Sequence, residues 1–128
     1  MGTVEKEELG QRQQLIMHCV WEAGEPVTVP QIIDMLEVKC GKRFSGSAIN
    51  TMVMVLMEKG YLQQGAKIHQ AFTYLPLISK EEYQLQEVKR FSKLTFDSSP
   101  SILLSALLKT DITKDELQIM REMLNRNE

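Results

Sequence analysis

The chain has 128 residues, 43% apolar and 25% charged, the balance of a folded protein of one domain or two small lobes rather than a disordered chain. Fifteen basic and seventeen acidic residues leave a net charge of −2, so the whole chain is no polycation that would hold nucleic acid by charge alone. Apolar runs such as Ile102-Leu103-Leu104 and Ala106-Leu107-Leu108 fall far short of the ~18 residues of a membrane-crossing helix, and no membrane partner is expected.

The opening MGTVEKEELG offers no apolar segment behind basic residues. MGTVEK also lacks the hydroxyl residue that the myristoylation pattern requires at the sixth position. Neither a secretory signal nor that lipid anchor is expected, and a cytoplasmic location is. Cys19 and Cys40 form no CxxC pair, and the histidines are His18 and His69, so no metal site or cofactor is expected. Two reduced cysteines in or near the core account for this pattern; a redox-sensing pair is the alternative.

Residues 5–24 predict a first helix, with Leu9, Ile16, Cys19 or Val20, and Ala23 at helical spacing and Gly24 as its stop. Residues 25–29 predict a short edge strand. A second helix is expected over 30–40, with Ile32, Ile33, Leu36 and Cys40 inward and Gly41 at its end. Lys42-Arg43-Phe44-Ser45 then leads into a third helix over 46–59, capped by Ser45 or Ser47 and ended by Gly60. At 100° per residue, Ile49, Met52, Val53 and Leu56 share one stripe, and Ser47, Asn50, Thr51, Met54 and Glu58 lie opposite. Residues 61–65 and 71–75 predict two strands joined by a turn over 65–70. Capping boxes at Ser79/Glu82 and Thr113/Glu116 open helices over 80–95 and 114–126, with a short apolar helix over 100–109 between them. The order is mostly α (α+β): a winged helix-turn-helix over residues 1–78, then a three-helix C-terminal dimerisation region over 79–128.

Charge is unevenly divided along this order. Residues 5–37 carry two basic and seven acidic side chains, net −5. Residues 39–75 carry five basic (Lys39, Lys42, Arg43, Lys59, Lys67) and one acidic (Glu58), net +4; the remainder is net −1. The positive stretch coincides with the third helix and the hairpin. A helix can enter the ~12 Å major groove. Ser45, Ser47, Asn50 and Thr51 would then approach bases and phosphates, with Asn50 able to pair with adenine and Met54 to touch a thymine methyl. Lys42 and Arg43 before the helix, and Lys67 and His69 at the hairpin tip, are placed for phosphates. No enzyme is expected: there is no phosphate-cradling glycine loop, nucleophile elbow or HExxH, and His18 beside Trp21 reads as structural.

Four segments carry a resemblance: WEAGEPVTVPQIIDML, INTMVMVLMEKGYL, FTYLPLISKEEY and SILLSALLKTDITKDELQIMREML. In the second, Thr51, Leu56, Lys59, Gly60 and Leu62 match the usual pattern. In this order and spacing, over about residues 9–126, the chain resembles the bacterial penicillinase-repressor family (BlaI/MecI/CopY type). The resemblance implies a winged-helix repressor that binds a palindromic double-stranded DNA operator as a homodimer held by its C-terminal helices. It also implies an inducing signal, an inducer or a sensor protease. The chain departs from the pattern at Ala48 and Val55, where Thr and Arg are frequent, and at Ser47 and Glu58, where bases are frequent, which removes phosphate contacts. The tail has no cysteine for copper, and Ser105-Ala106 does not match the cleavage dipeptide of the resistance members.

A dimer is also expected from the tail itself. Ile102, Leu103, Ala106 and Leu107 form one apolar face, and Leu117, Met120 and Leu124 another, joined by Ile112. About fifty residues in three short helices cannot bury both. Folding back onto the winged domain is the other way to cover them. For function, the alternative is a winged-helix protein-interaction module that has lost DNA binding.

Overall fold

The helices begin and end where side-chain caps and glycines dictate. The computed structural model describes residues 6–127. Helix α1 (Gln11–Ala23) closes on Gly24 at φ 67°, and α2 (Val29–Cys40) on Gly41 at φ 69°. Thr28 opens α2 with a reciprocal pair: its hydroxyl accepts from the Gln31 amide (3.4 Å), and Gln31 Oε1 accepts from the Thr28 amide (2.8 Å). Ser45, rather than Ser47, caps α3 (Gly46–Glu58), its hydroxyl accepting from the Ala48 amide at 3.1 Å.

The first helix starts later than its apolar spacing predicts. Residues 6–10 are not helical, and residue 5 lies outside the described residues. The cause is tertiary. The Tyr61 hydroxyl donates to the Glu7 carbonyl at 2.6 Å, and the Lys59 ammonium to the Glu8 carbonyl at 3.2 Å. Leu9, 4% exposed, is drawn into the core, and Gly10 turns the chain into α1.

Strand β1 (Leu62–Ile68) pairs antiparallel with β2 (Ala71–Pro76), from Leu62 opposite Pro76 to Ile68 opposite Ala71. The expected edge strand over 25–29 is a single bridge, in which Val27 exchanges both backbone bonds with Tyr74 (3.1 and 2.7 Å). The expected six-residue turn is corrected to two residues, His69 and Gln70. Residues 65–68 join the strand through a bulge between Gln64 and Lys67. Glycine is required in that bulge: a Cβ at Gly65 would lie 2.8 Å from the Thr73 hydroxyl, which itself donates to the Ala66 carbonyl at 2.6 Å.

His69 and Gln70 have φ of 50° and 66°, the left-handed pair of a type I′ hairpin turn, a conformation that suits Asn-Gly. Relief of about 1–2 kcal/mol of left-handed strain exceeds the extra chain entropy of glycine. Gln70→Gly is therefore expected to stabilise the chain by about 0.5–1 kcal/mol. A urea midpoint that does not rise would refute this.

Ile16, Val20, Ile32, Leu36, Ile49, Val53, Leu56 and Leu62 close one core beneath the three helices and the hairpin, each 2% exposed or less. Cys19 is buried there, and burial pushes its thiol up to about 11, which leaves little thiolate at neutral pH. Cys40 is exposed, and both cysteines are free. Helices α1 and α2 are also clipped by Lys39 Nζ to Glu22 Oε1 at 2.6 Å. The bond to Lys39 holds the Glu22 carboxyl below its ordinary range and raises the Lys39 ammonium. A lowered acid stabilises the fold above its unfolded pKa and loses that contribution as pH falls through the folded value. The stability difference between the wild type and Glu22→Gln is thus expected at neutral pH and to vanish in acid. A difference constant across that limb, measured by denaturant titration, would contradict it.

Two compact units divide the chain at 85/86. Helix α4 (Lys80–Thr95) begins in the first unit, where its Tyr83 ring lies 5.3 Å from Trp21 and 6.0 Å from Tyr61. The Trp21 indole N–H donates to the Ile78 carbonyl (2.9 Å) just ahead of it. The Ser79/Glu82 box caps this helix as expected, the Glu82 amide donating to Ser79 Oγ at 3.0 Å. The second unit holds the rest of α4, then α5 (Pro100–Leu107) and α6 (Lys114–Arg126), capped by Ser99 and Thr113. The fold is mostly α with a small antiparallel sheet: a winged helix-turn-helix followed by helices. Among the described residues no helix is long and apolar enough to cross a membrane.

Candidate nucleic-acid interface

Helix α3 presents two faces, as its periodicity requires. Ile49, Val53 and Leu56 are buried and Met52 is half-buried, whereas Ser47, Asn50, Thr51, Met54 and Glu58 are exposed. The polar groups of the outer face are not equivalent. The Ser45 hydroxyl is engaged in the cap, and the Thr51 hydroxyl donates to the Ser47 carbonyl one turn back (3.0 Å). Among the described residues, nothing bonds the Asn50 amide or the Ser47 hydroxyl. Asn50 also sits on the rim of a recess of about 440 Å³ between α2, α3 and the hairpin, with Arg43, Gly46, Ile33, Phe72 and Tyr74 on its walls.

The positive stretch is smaller in three dimensions than along the sequence. Lys39 is paired with Glu22. Arg43 Nη1 lies between Glu37 Oε2 (2.8 Å) and Asp34 Oδ1 (2.9 Å), which hold the guanidinium more firmly charged, Glu37 first. Lys59 turns inward to the Glu8 carbonyl and to Gln13 Oε1 (3.2 Å). Three of the five cations are therefore occupied by groups that lie outside residues 39–75. The other two rest on aromatic rings: Lys42 Nζ is 5.1 Å from the Phe44 centroid, and Lys67 Nζ is 4.6 Å from that of Phe72. His69, beside Lys67, is exposed in the hairpin turn.

Sequence reasoning missed Arg12. It belongs to the acidic N-terminal stretch, yet its guanidinium carbon lies 5.5 Å from the same Phe44 ring. No signal in the sequence marked it: the helix expected over 5–24 places Arg12 in its interior, and only the later start of α1 at Gln11 puts it at the end of the helix beside Phe44.

In the second unit, α5 and α6 contain no buried residue. Ile102 (48%), Leu107 (46%) and Leu124 (54%) are exposed, and Leu103, Ala106, Leu117 and Met120 are half-buried. Ile119 and Met123 extend the apolar arc of α6, and Val88, Phe91 and Leu94 add an exposed apolar set on α4 that the sequence reading did not single out. Among the described residues, no group of three or more His, Cys, Asp or Glu side chains is placed to hold a metal ion. His18 meets Trp21 edge-on at 5.5 Å.

A three-helix core with a paired hairpin and an outward polar face on its third helix defines a winged-helix regulator. Comparison with known proteins makes the assignment specific: the chain matches the family described as penicillinase repressor over residues 9–126, and it belongs to that family of transcriptional repressors. It is 24% identical over 120 residues to the methicillin resistance regulatory protein MecI of Staphylococcus aureus strain N315, covering 93% of this chain and 94% of that protein. Its fold is similar to that of RosR of H. salinarum, with a TM-score of 0.53 at 16% identity over 94% of each chain. It is also similar to MepR, a transcription regulator of the Staphylococcus aureus multidrug efflux pump MepA, with a TM-score of 0.50 at 14% identity over 93% of this chain and 77% of that one.

Proposed function

We propose that this repressor binds a palindromic DNA operator as a homodimer, with the outer face of α3 in the major groove and the hairpin beside it. The Asn50 amide on that face, which nothing among the described residues bonds, carries the reading. A buried-side role would have consumed its donors and acceptor, whereas a base edge uses both. Ser47 and Met54 flank it, Ser45 and Thr51 frame the approach to the backbone, and Lys42, Lys67 and His69 face phosphates. Arg43 reaches a phosphate by exchanging Asp34 or Glu37 for it, an exchange eased by the exposure of all three side chains.

A homodimer follows from the tail. Ile102, Leu103, Ala106, Leu107, Leu117, Met120 and Leu124 stay exposed or half-buried in the single chain, and a second copy covers them by two-fold symmetry. Two half-sites then lie one or two helical turns apart on the duplex.

A selection from random duplexes tests the reading. A recovered site with two inverted halves supports it, and recovery of no common sequence overturns it. A second reading, a protein-interaction module without DNA binding, is favoured by the neutralisation of Lys39 and Arg43 and by the inward turn of Lys59. Absence of binding to mixed duplex at low salt and micromolar protein would establish that alternative.

A further inference from the structure

Phe44 stands in the turn between α2 and α3, half-buried against the core. Two cations from distant parts of the chain converge on its ring, Arg12 from the first turn of α1 and Lys42 from the turn itself. Given their distances from the centroid, the two charges lie within about 11 Å of each other. Both side chains are exposed, and among the described residues neither is paired with a carboxylate. This sets them apart from Lys39 and Arg43, whose charges are met by Glu22, Asp34 and Glu37.

Two like charges gathered on one ring repel each other, and an anion between or beside them removes that repulsion. The ring restricts where each cation can go, so less freedom is lost when an anion binds. Duplex DNA carries about one negative charge per 1.7 Å of axis, so cations spaced within about 11 Å meet neighbouring phosphates of one backbone. Arg offers a planar fork and Lys a point charge, which suits one bidentate and one single contact.

We propose that Arg12, Lys42 and Phe44 form a clamp for the DNA phosphate backbone, with Phe44 as the positioning residue that joins α1 to the contact surface. The proposal rests on the DNA-binding reading above and extends it to a residue outside the basic stretch. It makes α1 a backbone-contacting element of the winged domain and not only a core helix.

The test is the salt dependence of binding of the full chain to a mixed-sequence duplex. Arg12→Gln and Lys42→Gln are each expected to flatten the slope of log K against log salt by about 0.9, the loss of one neutralised phosphate. Between 50 and 200 mM salt each variant then loses about threefold less affinity than the wild type does. Arg12→Lys is expected to keep the wild-type slope. Phe44→Leu, which retains apolar bulk, is expected to weaken binding in the wild-type background and to add nothing once both cations are removed. An unchanged slope in Arg12→Gln, with duplex binding otherwise intact and Lys67→Gln flattened, overturns the clamp and leaves the DNA-binding reading standing. Additive losses with Phe44→Leu remove its positioning role. A wild type that shows no salt-dependent duplex binding overturns both.

Discussion

Ile102→Asp combined with Leu124→Asp is expected to yield a folded monomer whose operator affinity falls by about 10²–10⁴-fold, the range lost when two linked half-site contacts become independent. Both side chains are about half exposed in the single chain, so charge there costs the protomer little. In a two-fold dimer each substitution occurs twice. Each removes about 0.7–1.5 kcal/mol, half the value of burying a fully exposed leucine-sized side chain, and places an unpaired carboxylate in an apolar interface. Sedimentation would read the change of mass, and titration on full and half operators the change of affinity. Half-operator binding is expected to be unaffected, because the altered residues lie outside the winged unit. A variant that remains dimeric, or a monomer that binds the full operator as tightly as the wild type, would show that these faces do not pair the protomers.

The helices were legible wherever their signals are local. The stripe of Ile49, Val53 and Leu56 needs only helical spacing, and the caps at Ser45, Ser79 and Thr113 need only a hydroxyl at the right offset. Errors arose where distant residues decide. Residues 6–10 have helical composition, but Lys59 and Tyr61, some fifty positions away, hold their carbonyls and exclude the helix. The hairpin carries His69-Gln70 where a type I′ turn favours Asn-Gly, so its turn signal is weak, and Gly65 marks a bulge and not the turn.

Charge was the least legible property of the site. Summed along residues 39–75 it predicts a broad positive footprint. In space Glu22, Asp34 and Glu37, all from the acidic stretch before it, neutralise Lys39 and Arg43. Arg12 moves the other way, from the acidic stretch to the Phe44 ring. A linear count cannot register either exchange, because both depend on α1 and α2 packing beside the turn that leads into α3. The exposed apolar set on α4, Val88, Phe91 and Leu94, shares one flank of the helix at a spacing of three, but it is interleaved with Lys89, Arg90 and Lys93 and was not singled out.

If the outer face of α3 enters the major groove as proposed, Asn50→Ala measures what base reading contributes. The substitution is expected to weaken operator binding by about 1–3 kcal/mol per half-site, the value of one bidentate amide–adenine pair. Binding to random duplex is expected to change little, since the amide is exposed and nothing among the described residues bonds it. Helix stability should not fall, because alanine is the better helix former. Lys67→Ala provides the contrast: it removes a proposed phosphate contact and should weaken operator and random duplex by the same factor. Parallel titrations of the two variants on both duplexes separate these effects. Equal losses for Asn50→Ala on operator and random duplex would mean that Asn50 reads no base, and the outer face of α3 would then act only as a backbone-contacting surface.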